Sequence, residues 1–285
     1  MFKHNLQDLV KGIRAHKGET QAKYVAKEIV AIKDELKMPE ARVKVRVCAR
    51  RGPAPSPSPP HTHTRRPRPS LLLQVQAVSK LIYLEMIGHD IEWAAFHVVE
   101  VMALPTFKHK RIGYLAAAQC FRADTDVVLL TTNLLKKELK ATNKYECGMA
   151  INCLANIATP DLARDLLGDV VNLLTSSRPF VRKKAVLLLY KLYLKFPEGL
   201  RLTFDRLKAK LEDDDHAVMS SAVHVICELA RKMPRNYLAL APQFFNLLTH
   251  SSNNWMLIKV VKLLGSLVPE EPRLARKLLE PLARV

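Results

Sequence analysis

Two groups of side chains in the sequence are of the types that hold metal ions. His61 and His63 are separated by one residue, and Asp213–Asp215 form a run of carboxylates. A zinc site needs a third protein ligand, and nothing near the two histidines supplies it. The acidic run directly precedes a helical pattern, where carboxylates accept hydrogen bonds from the free N–H groups of the first turn. We therefore predict no metal site, and a helix-capping role for the acidic run.

The cysteines are a second set of candidate reactive groups. Five are present, an odd number, and none forms a C-x-x-C pair: Cys48, Cys120, Cys147, Cys153 and Cys227. Four of them lie in apolar helical patterns, where cysteine behaves as a small hydrophobic residue. We predict that they are structural thiols rather than metal ligands or nucleophiles.

No pattern in the sequence predicts catalysis. The P-loop, GxGxxG, GxSxG and HExxH motifs are all missing. His97 and His224 fall within helical runs, where a partly buried, hydrogen-bonded histidine is more common than a general base. Asp161 and Asp165 lie one turn apart at a helix start, where negative charge suits the helix dipole. We predict no catalytic residue, no bound cofactor and no enzymatic activity.

The clearest structural pattern is the segment from Val181 to Pro197. Its apolar residues recur at steps of three and four, as in an amphipathic helix, and basic residues occupy most of the remaining arc. These apolar residues are Val181, Ala185, Leu188, Leu189, Leu192 and Tyr193. Burial of each larger side chain is worth about 1.5–3 kcal/mol, so this helix needs neighbours that cover its apolar face.

Similar apolar runs recur along the chain. With Ala185 as the reference, the corresponding anchor positions are Ala77, Tyr114, Cys147, Ala222 and Lys259. A period of about 37 residues with helical patterning, and without strand alternation, is typical of helical hairpins that stack on one another. We predict an all-α fold, an α-solenoid of HEAT/armadillo-like hairpins.

The two ends of the chain fit this organisation. Within residues 1–44 we predict two helices, LQDLVKGIRAHK and TQAKYVAKEIVAIKDELK, which are separated by Gly18 and stopped at Met38-Pro39. Residues 75–285 form the helical-repeat region. It ends in PRLARKLLEPLARV without a polar capping helix, so we expect the array to be truncated there.

Residues 45–74 interrupt the helical pattern. They contain seven of the seventeen prolines and six arginines but no acidic residue, a composition that neither continues a helix nor buries a core. We predict a disordered insertion. Its removal joins Lys44 to Val75 as RVKVQAVSKL, which resembles VRKKAVLLLY of the central helix. Because the insertion begins with valine (GT codons) and ends with glutamine (a codon ending in AG), one hypothesis is a translated in-frame intron.

The net charge of +18 favours acidic partners such as phosphates, anionic membrane surfaces or acidic proteins. No run of about 18 apolar residues is present, and the first residues are charged where a signal peptide would be apolar, so we expect a cytosolic or nuclear protein. Two classes of binding protein stay open: a transport or coat scaffold, and a nucleic-acid-associated repeat protein. Repeats that recognise RNA bases carry polar and aromatic side chains at matching positions. The matching positions here hold Lys, Ala or Leu, which disfavours base recognition.

Several segments, taken in order, carry a family resemblance. They are NLQDLVKGIRAHK, AKYVAKEIVAIKDELK, AVSKLIYLEMIGHDIEWAAFHVVEVMA, KRIGYLAAAQC, TPDLARDL, VRKKAVLLLYKLYLKFPE and NNWMLIKVVKLLG. Together they resemble the N-terminal trunk of the adaptin family, the large subunits of heterotetrameric adaptor complexes. The resemblance covers nearly the whole chain outside residues 45–74.

The resemblance implies a peripheral vesicle-coat scaffold that sorts membrane cargo from Golgi and endosomes towards lysosomes and related organelles. In this family the trunk curves around a small sigma-type subunit and assembles with a beta-type adaptin and a mu-type subunit. A GTP-loaded Arf-family GTPase recruits the complex. Cargo tails with an acidic residue upstream of a dileucine bind at the sigma chain and the nearby trunk. No nucleic acid is implied as a partner.

The resemblance also implies one site residue. An arginine in the GIR segment of related large subunits helps hold the upstream part of the cargo motif, and it corresponds to Arg14. A guanidinium suits a carboxylate because it offers paired donors; the alternative for Arg14 is an ordinary surface charge. The plasma-membrane relative has a lysine run that contacts phosphoinositide, but the matching positions here are Lys44, Val75 and Gln76. With one cation left, recruitment by the GTPase is the better expectation.

Overall fold

A computed structural model of the chain describes residues 5–37 and 69–284. In these two ranges every regular element is a helix, and no β-strand is present. No helix in the same ranges is long and apolar enough to span a bilayer. The chain divides into two compact units, with the boundary between Leu134 and Leu135.

The described part of the first unit contains five α-helices and the beginning of a sixth. They are α1 (Leu6–Ala15), α2 (Glu19–Leu36), α3 (Pro69–Met86), α4 (Ala95–Met102), α5 (Phe107–Cys120) and α6 (Thr131–Leu139), with 3-10 turns at Glu92–Ala94 and Asp126–Leu130. Helix α3 is central, because α1, α2, α4 and α5 all pack against it. The two helices predicted before the repeats are confirmed as α1 and α2. Gly18, the residue predicted to separate them, has a φ of 56°, which favours glycine.

The second unit continues with eight α-helices in its described residues. They are α7 (Lys144–Ile157), α8 (Pro160–Leu173), α9 (Pro179–Lys195), α10 (Pro197–Lys208), α11 (His216–Ala230), α12 (Ala241–His250), α13 (Asn254–Leu267) and α14 (Arg273–Arg284). Helices α7, α9, α11 and α13 pack side by side in that order, while α8 and α10 both pack on α9. This arrangement is a stack of helical hairpins, as the sequence period predicts.

The central helix of the sequence analysis is α9. All six apolar residues predicted to face its neighbours are buried, and Val186 is buried with them. Lys183, Lys191 and Lys195 are exposed on the opposite side. The helix ends at Lys195, and Pro197 begins α10 rather than ending α9, because proline suits the first turn of a helix.

The predicted repeat anchors agree with the structure except at one position. Ala77, Ala185 and Ala222 are completely buried. Lys259 is instead partly exposed and pairs with Glu228, whereas the next residue, Val260, is buried. A constant period therefore misplaces the last anchor by one residue, because the connections between hairpins differ in length.

The end of the predicted insertion is helical in the structure. Helix α3 begins at Pro69, so residues 69–74 belong to it, and Leu71, Leu72 and Leu73 are half-buried. These leucines extend the helix towards its N-terminus, where Pro69 occupies the first position, at which proline is tolerated. The part of the insertion at residues 45–68, including His61, His63 and Cys48, lies outside the described residues.

Candidate functional site

Arg14 is placed by the packing of α1. This helix begins with a capping box, in which Asn5 Oδ1 accepts from the Asp8 N–H at 2.9 Å and Asp8 Oδ2 accepts from the Asn5 N–H at 3.0 Å. Leu9 and Ile13 are buried in the core of the first unit. Successive residues of an α-helix are rotated by about 100° about its axis. Arg14, the residue after the buried Ile13, therefore points away from the core and is exposed in the last turn of α1.

The end of α1 is attached to α2 by a close contact at a glycine. A Cβ atom on Gly12 would collide with the ring of Tyr24, so glycine allows this ring to lie against α1. The ring of His16 stacks on Tyr24 with 4.9 Å between centroids. His16 Nδ1 donates to the carbonyl oxygen of Gly12 at 2.7 Å. Arg14 therefore lies between two residues of α1 and its C-cap, Gly12 and His16, that both contact Tyr24 of α2.

Exposed lysines accompany Arg14 on α1 and α2. Lys11 and Lys17 on and after α1, and Lys23 and Lys27 on α2, are all exposed. Arg14 makes no ion pair or hydrogen bond with other residues in the described ranges. Its guanidinium keeps its donors available and can bind a carboxylate through two parallel hydrogen bonds. This geometry suits an acidic peptide, and the cargo-binding role of Arg14 stays a prediction.

The resemblance matches three positions of this chain to a phosphoinositide-binding lysine run, and the two that the structure describes carry no positive charge. Val75 is 5% exposed, and Gln76 is only partly exposed with a buried Oε1. Lys44 lies outside the described residues. Neither of the two described side chains offers a cation to a phosphate.

The acidic run at Asp213–Asp215 divides into two roles. Asp215 caps α11, as predicted, because its Oδ1 accepts from the N–H groups of Ala217 at 2.9 Å and Val218 at 3.0 Å. Asp213 instead binds Arg182 of α9 through two hydrogen bonds of 2.7 and 3.0 Å. Burial alone would raise the pKa of Asp213, but hydrogen bonds from Arg182, from the Asp215 N–H and from Lys210 lower it to about 2.

The cysteines and histidines considered as reactive groups are buried or partly buried wherever the structure describes them. Burial raises the pKa of Cys120, Cys153 and Cys227 to about 12, so these thiols stay protonated. His97 Nδ1 lies 3.1 Å from Glu100 Oε2 on the same helix. The pKa of His224 is lowered by burial and then by the charge of Lys259. In the described ranges, no three His, Cys, Asp or Glu side chains come together as a metal site.

The sequence analysis missed a series of polar contacts between neighbouring hairpins. Besides Arg182–Asp213, they are Lys184–Asn152, Gln243–Glu212, Lys259–Glu228 and Arg235–Glu270. The partners are 31 to 35 residues apart. A recurrent polar pair at nearly one repeat length is a signal that the sequence contains, but it becomes specific only when the stacking order is known.

The chain matches a known family over most of its length. The family described as "Adaptin N terminal region" matches residues 66–284. This chain therefore belongs to the adaptin N-terminal region family, in agreement with the resemblance inferred from its sequence segments.

The similar proteins are subunits of adaptor complexes. AP-3 complex subunit delta-1 of Bos taurus is 50% identical over 285 residues, and AP-3 complex subunit delta of Dictyostelium discoideum is 43% identical over 286 residues. Both matches cover 100% of this chain but only 21% and 22% of the relatives. AP-1 complex subunit gamma-1 of Mycosarcoma maydis is 32% identical over 155 residues, 54% of this chain and 18% of that protein. The chain thus spans about a fifth of the length of these two AP-3 relatives.

Known structures agree with the fold. A homology model of the full-length AP-3 complex in an intermediate open conformation is 45% identical, with a TM-score of 0.65, and the match covers 75% of this chain and 38% of that chain. A computationally designed armadillo repeat protein for modular peptide recognition is 18% identical, with a TM-score of 0.50, and the match covers 69% of this chain and 91% of that chain. The second likeness concerns the fold alone. The predicted α-solenoid of HEAT/armadillo-like hairpins is confirmed.

Proposed function

We propose that this chain forms part of the trunk of a large subunit in a vesicle-coat adaptor complex, and that it has no enzymatic activity of its own. The observation that carries the proposal is the identity of 50% with AP-3 complex subunit delta-1 along all of this chain. The trunk would scaffold the other subunits and help to sort membrane cargo from Golgi and endosomes to lysosomes and related organelles. It would work as a peripheral protein on those membranes.

The proposed partners follow from this role. A sigma-type small subunit, a beta-type adaptin and a mu-type subunit would complete the complex, and the structural similarity to an AP-3 complex supports such an assembly. An Arf-family GTPase and acidic dileucine cargo tails are proposed from the family resemblance. The alternative, a generic helical scaffold associated with nucleic acid, is not favoured because the relatives are adaptor subunits.

Co-expression with a sigma-type subunit tests the proposal. We expect the two chains to co-elute in stoichiometric amounts from a size-exclusion column at about 0.3 M salt, where exposed charge pairs are largely screened. A designed armadillo repeat protein is the matched control, because it shares the fold without the adaptin sequence. A soluble chain that elutes apart from the sigma-type subunit, or a control that also co-elutes, would overturn the proposed assembly.

Arg14 is tested in the complex with the sigma-type subunit. We expect R14E to weaken binding of a labelled peptide with Glu upstream of Leu-Leu by about tenfold, because the paired donors are lost and the charge is reversed. The control is K37E, since Lys37 is exposed and lies about 20 Å along α2 from Tyr24, the residue that contacts α1. K37E should change the affinity by less than about twofold. Equal effects of both variants, or no effect of R14E, would mean that Arg14 is an ordinary surface charge.

A further inference from the structure

A groove of about 510 Å³ runs between α9 and α11 in the second unit. Lys183 and Leu187 of α9 form one wall, and Ala217, Ser220 and Ser221 of α11 form the other. The groove exists because three small side chains on α11 face two long ones on α9. His216 and His224 of α11 and Asn253, which caps α13, also line the groove.

Part of the groove surface is apolar and is not covered by other residues in the described ranges. Leu187 is 44% exposed, although it lies on a helix whose other central leucines, Leu188 and Leu189, are almost completely buried. An exposed leucine in a concave surface can contact an aliphatic side chain from a partner on more than one side. Such a contact removes apolar area from water, which is favourable at about 25 cal/mol per Å².

The charge of the groove is positive. Lys183 is exposed, forms no ion pair with residues in the described part of the chain, and no carboxylate lines the groove. Two of the three acids that precede α11 are engaged, because Asp213 binds Arg182 and Asp215 caps the helix. The third, Asp214, is exposed but does not line the groove. The pKa of the adjacent Lys184 is lowered by burial and then by the charge of Lys183, so an anion at this point would relieve a repulsion.

We propose that this groove binds an acidic peptide segment, with a carboxylate at Lys183 and an aliphatic side chain against Leu187. Charge complementarity selects the carboxylate, and the exposed leucine selects the apolar residue next to it. A phosphoinositide headgroup fits less well, because several cations are needed to neutralise its phosphates and most of this surface is apolar. The proposal does not depend on assembly with a sigma-type subunit, and it concerns a unit that does not contain Arg14.

Fluorescence anisotropy with the whole chain at about 0.15 M salt tests the proposal. The probe is a labelled peptide of sequence GDEELEDG, and the comparison peptide replaces its leucine with alanine. We expect K183E to weaken binding of the first peptide by about tenfold, because a charge-assisted hydrogen bond is lost. S220W should weaken it to a similar extent by filling the groove without a change of charge. The alanine peptide should bind less tightly than the leucine peptide.

The matched control is K191E, on the same helix. Lys191 is exposed, but eight residues place it about 12 Å from Lys183 along the axis, beyond the Debye length of about 8 Å. K191E should therefore change the affinity by less than about twofold. Equal losses in K183E and K191E, or full binding by a folded S220W variant, would overturn the proposal. Binding of phosphoinositide vesicles that depends on Lys183, without binding of the peptide, would assign the groove to membranes instead.

Discussion

Asp213 connects two consecutive hairpins through a buried ion pair. Its side chain is 4% exposed and that of Arg182 is 13% exposed, so the pair is largely removed from water. Lys210 Nζ adds a contact of 3.1 Å to the same carboxylate. The folded state therefore holds the ionised form of Asp213 more tightly than the unfolded chain does, and folding stability depends on its ionisation.

We expect D213N to lower the free energy of unfolding by about 2–3 kcal/mol near neutral pH. This estimate follows from a pKa lowered from 3.8 to about 2, at about 1.4 kcal/mol per unit. Because the folded-state pKa is the lower one, the contribution is complete above pH 4 and disappears as the pH falls from about 4 to about 2. Urea unfolding followed by circular dichroism at several pH values measures the difference.

The neighbouring Asp214 supplies the control for this measurement. It is exposed and borders the same helix, so D214N should change the unfolding free energy by no more than about 0.5 kcal/mol. A difference between D213N and the unsubstituted chain that persisted at pH 2 would show that the loss arises from side-chain packing and not from the ionised pair.

At the level of single elements, the sequence contains two segments that could form the first turn of α3. Helix α3 begins with Pro69-Ser70-Leu71, and the segment Pro39-Glu40-Ala41 would take the same register if residues 45–74 were removed. The replacement keeps proline at the first helical position, places Glu40 in the first turn, where it suits the helix dipole, and removes three leucines. The shortened chain therefore has every local requirement for this helix.

We expect the chain without residues 45–74 to unfold cooperatively, at a temperature no lower than that of the whole chain. Differential scanning calorimetry of the two chains makes the comparison. A third chain, which lacks only residues 45–68 and keeps Pro69 as the first residue of α3, serves as the control. If the shortest chain alone lost cooperative unfolding, the leucines at 71–73 would be essential to the first unit, and the segment at 69–74 would be part of the fold rather than of an insertion.

Single helices were predictable from the sequence to the extent that one face is apolar. The buried set of α9 follows from its periodicity, and Asp161 lies in the first turn of α8, at the predicted helix start. Thr159 caps this helix, with its Oγ1 accepting from the Leu162 N–H. The contacts between helices were not predictable in the same way. The pairing of Arg182 with Asp213 and the groove beside Leu187 depend on which helices stack and in what register, which periodicity alone does not determine.

At the candidate site, too, the helix was predictable from the sequence and its contacts with the neighbouring helix were not. The sequence places Arg14 on an amphipathic helix, but only the resemblance to adaptins selects it from the other surface cations. The stacking of His16 on Tyr24, and the close approach of Tyr24 to Gly12, appear only when α1 and α2 are packed together. A glycine in the middle of α1 was a weak signal of this contact, because glycine is unfavourable there without a packing reason.

On the scale of the whole molecule, the net charge of +18 comes from basic residues along most of the sequence. Removal of residues 45–74 would take away six arginines and leave a net charge of +12. A charge of this size attracts any polyanion, so binding to nucleic acid at low salt is expected of either chain and does not by itself indicate a function.

Salt dependence separates this general attraction from specific assembly. We expect the affinity of the chain for duplex DNA to fall by about a thousandfold between about 50 and 200 mM salt, because such binding is driven by the release of counterions from phosphates. Filter binding with two unrelated DNA sequences measures the slope and should give equal affinities for both. The complex with the sigma-type subunit should persist over the same range, since burial of apolar surface does not depend on charge. DNA binding that survived about 0.3 M salt and preferred one sequence would favour the nucleic-acid scaffold over the adaptor trunk, because charge alone produces neither property.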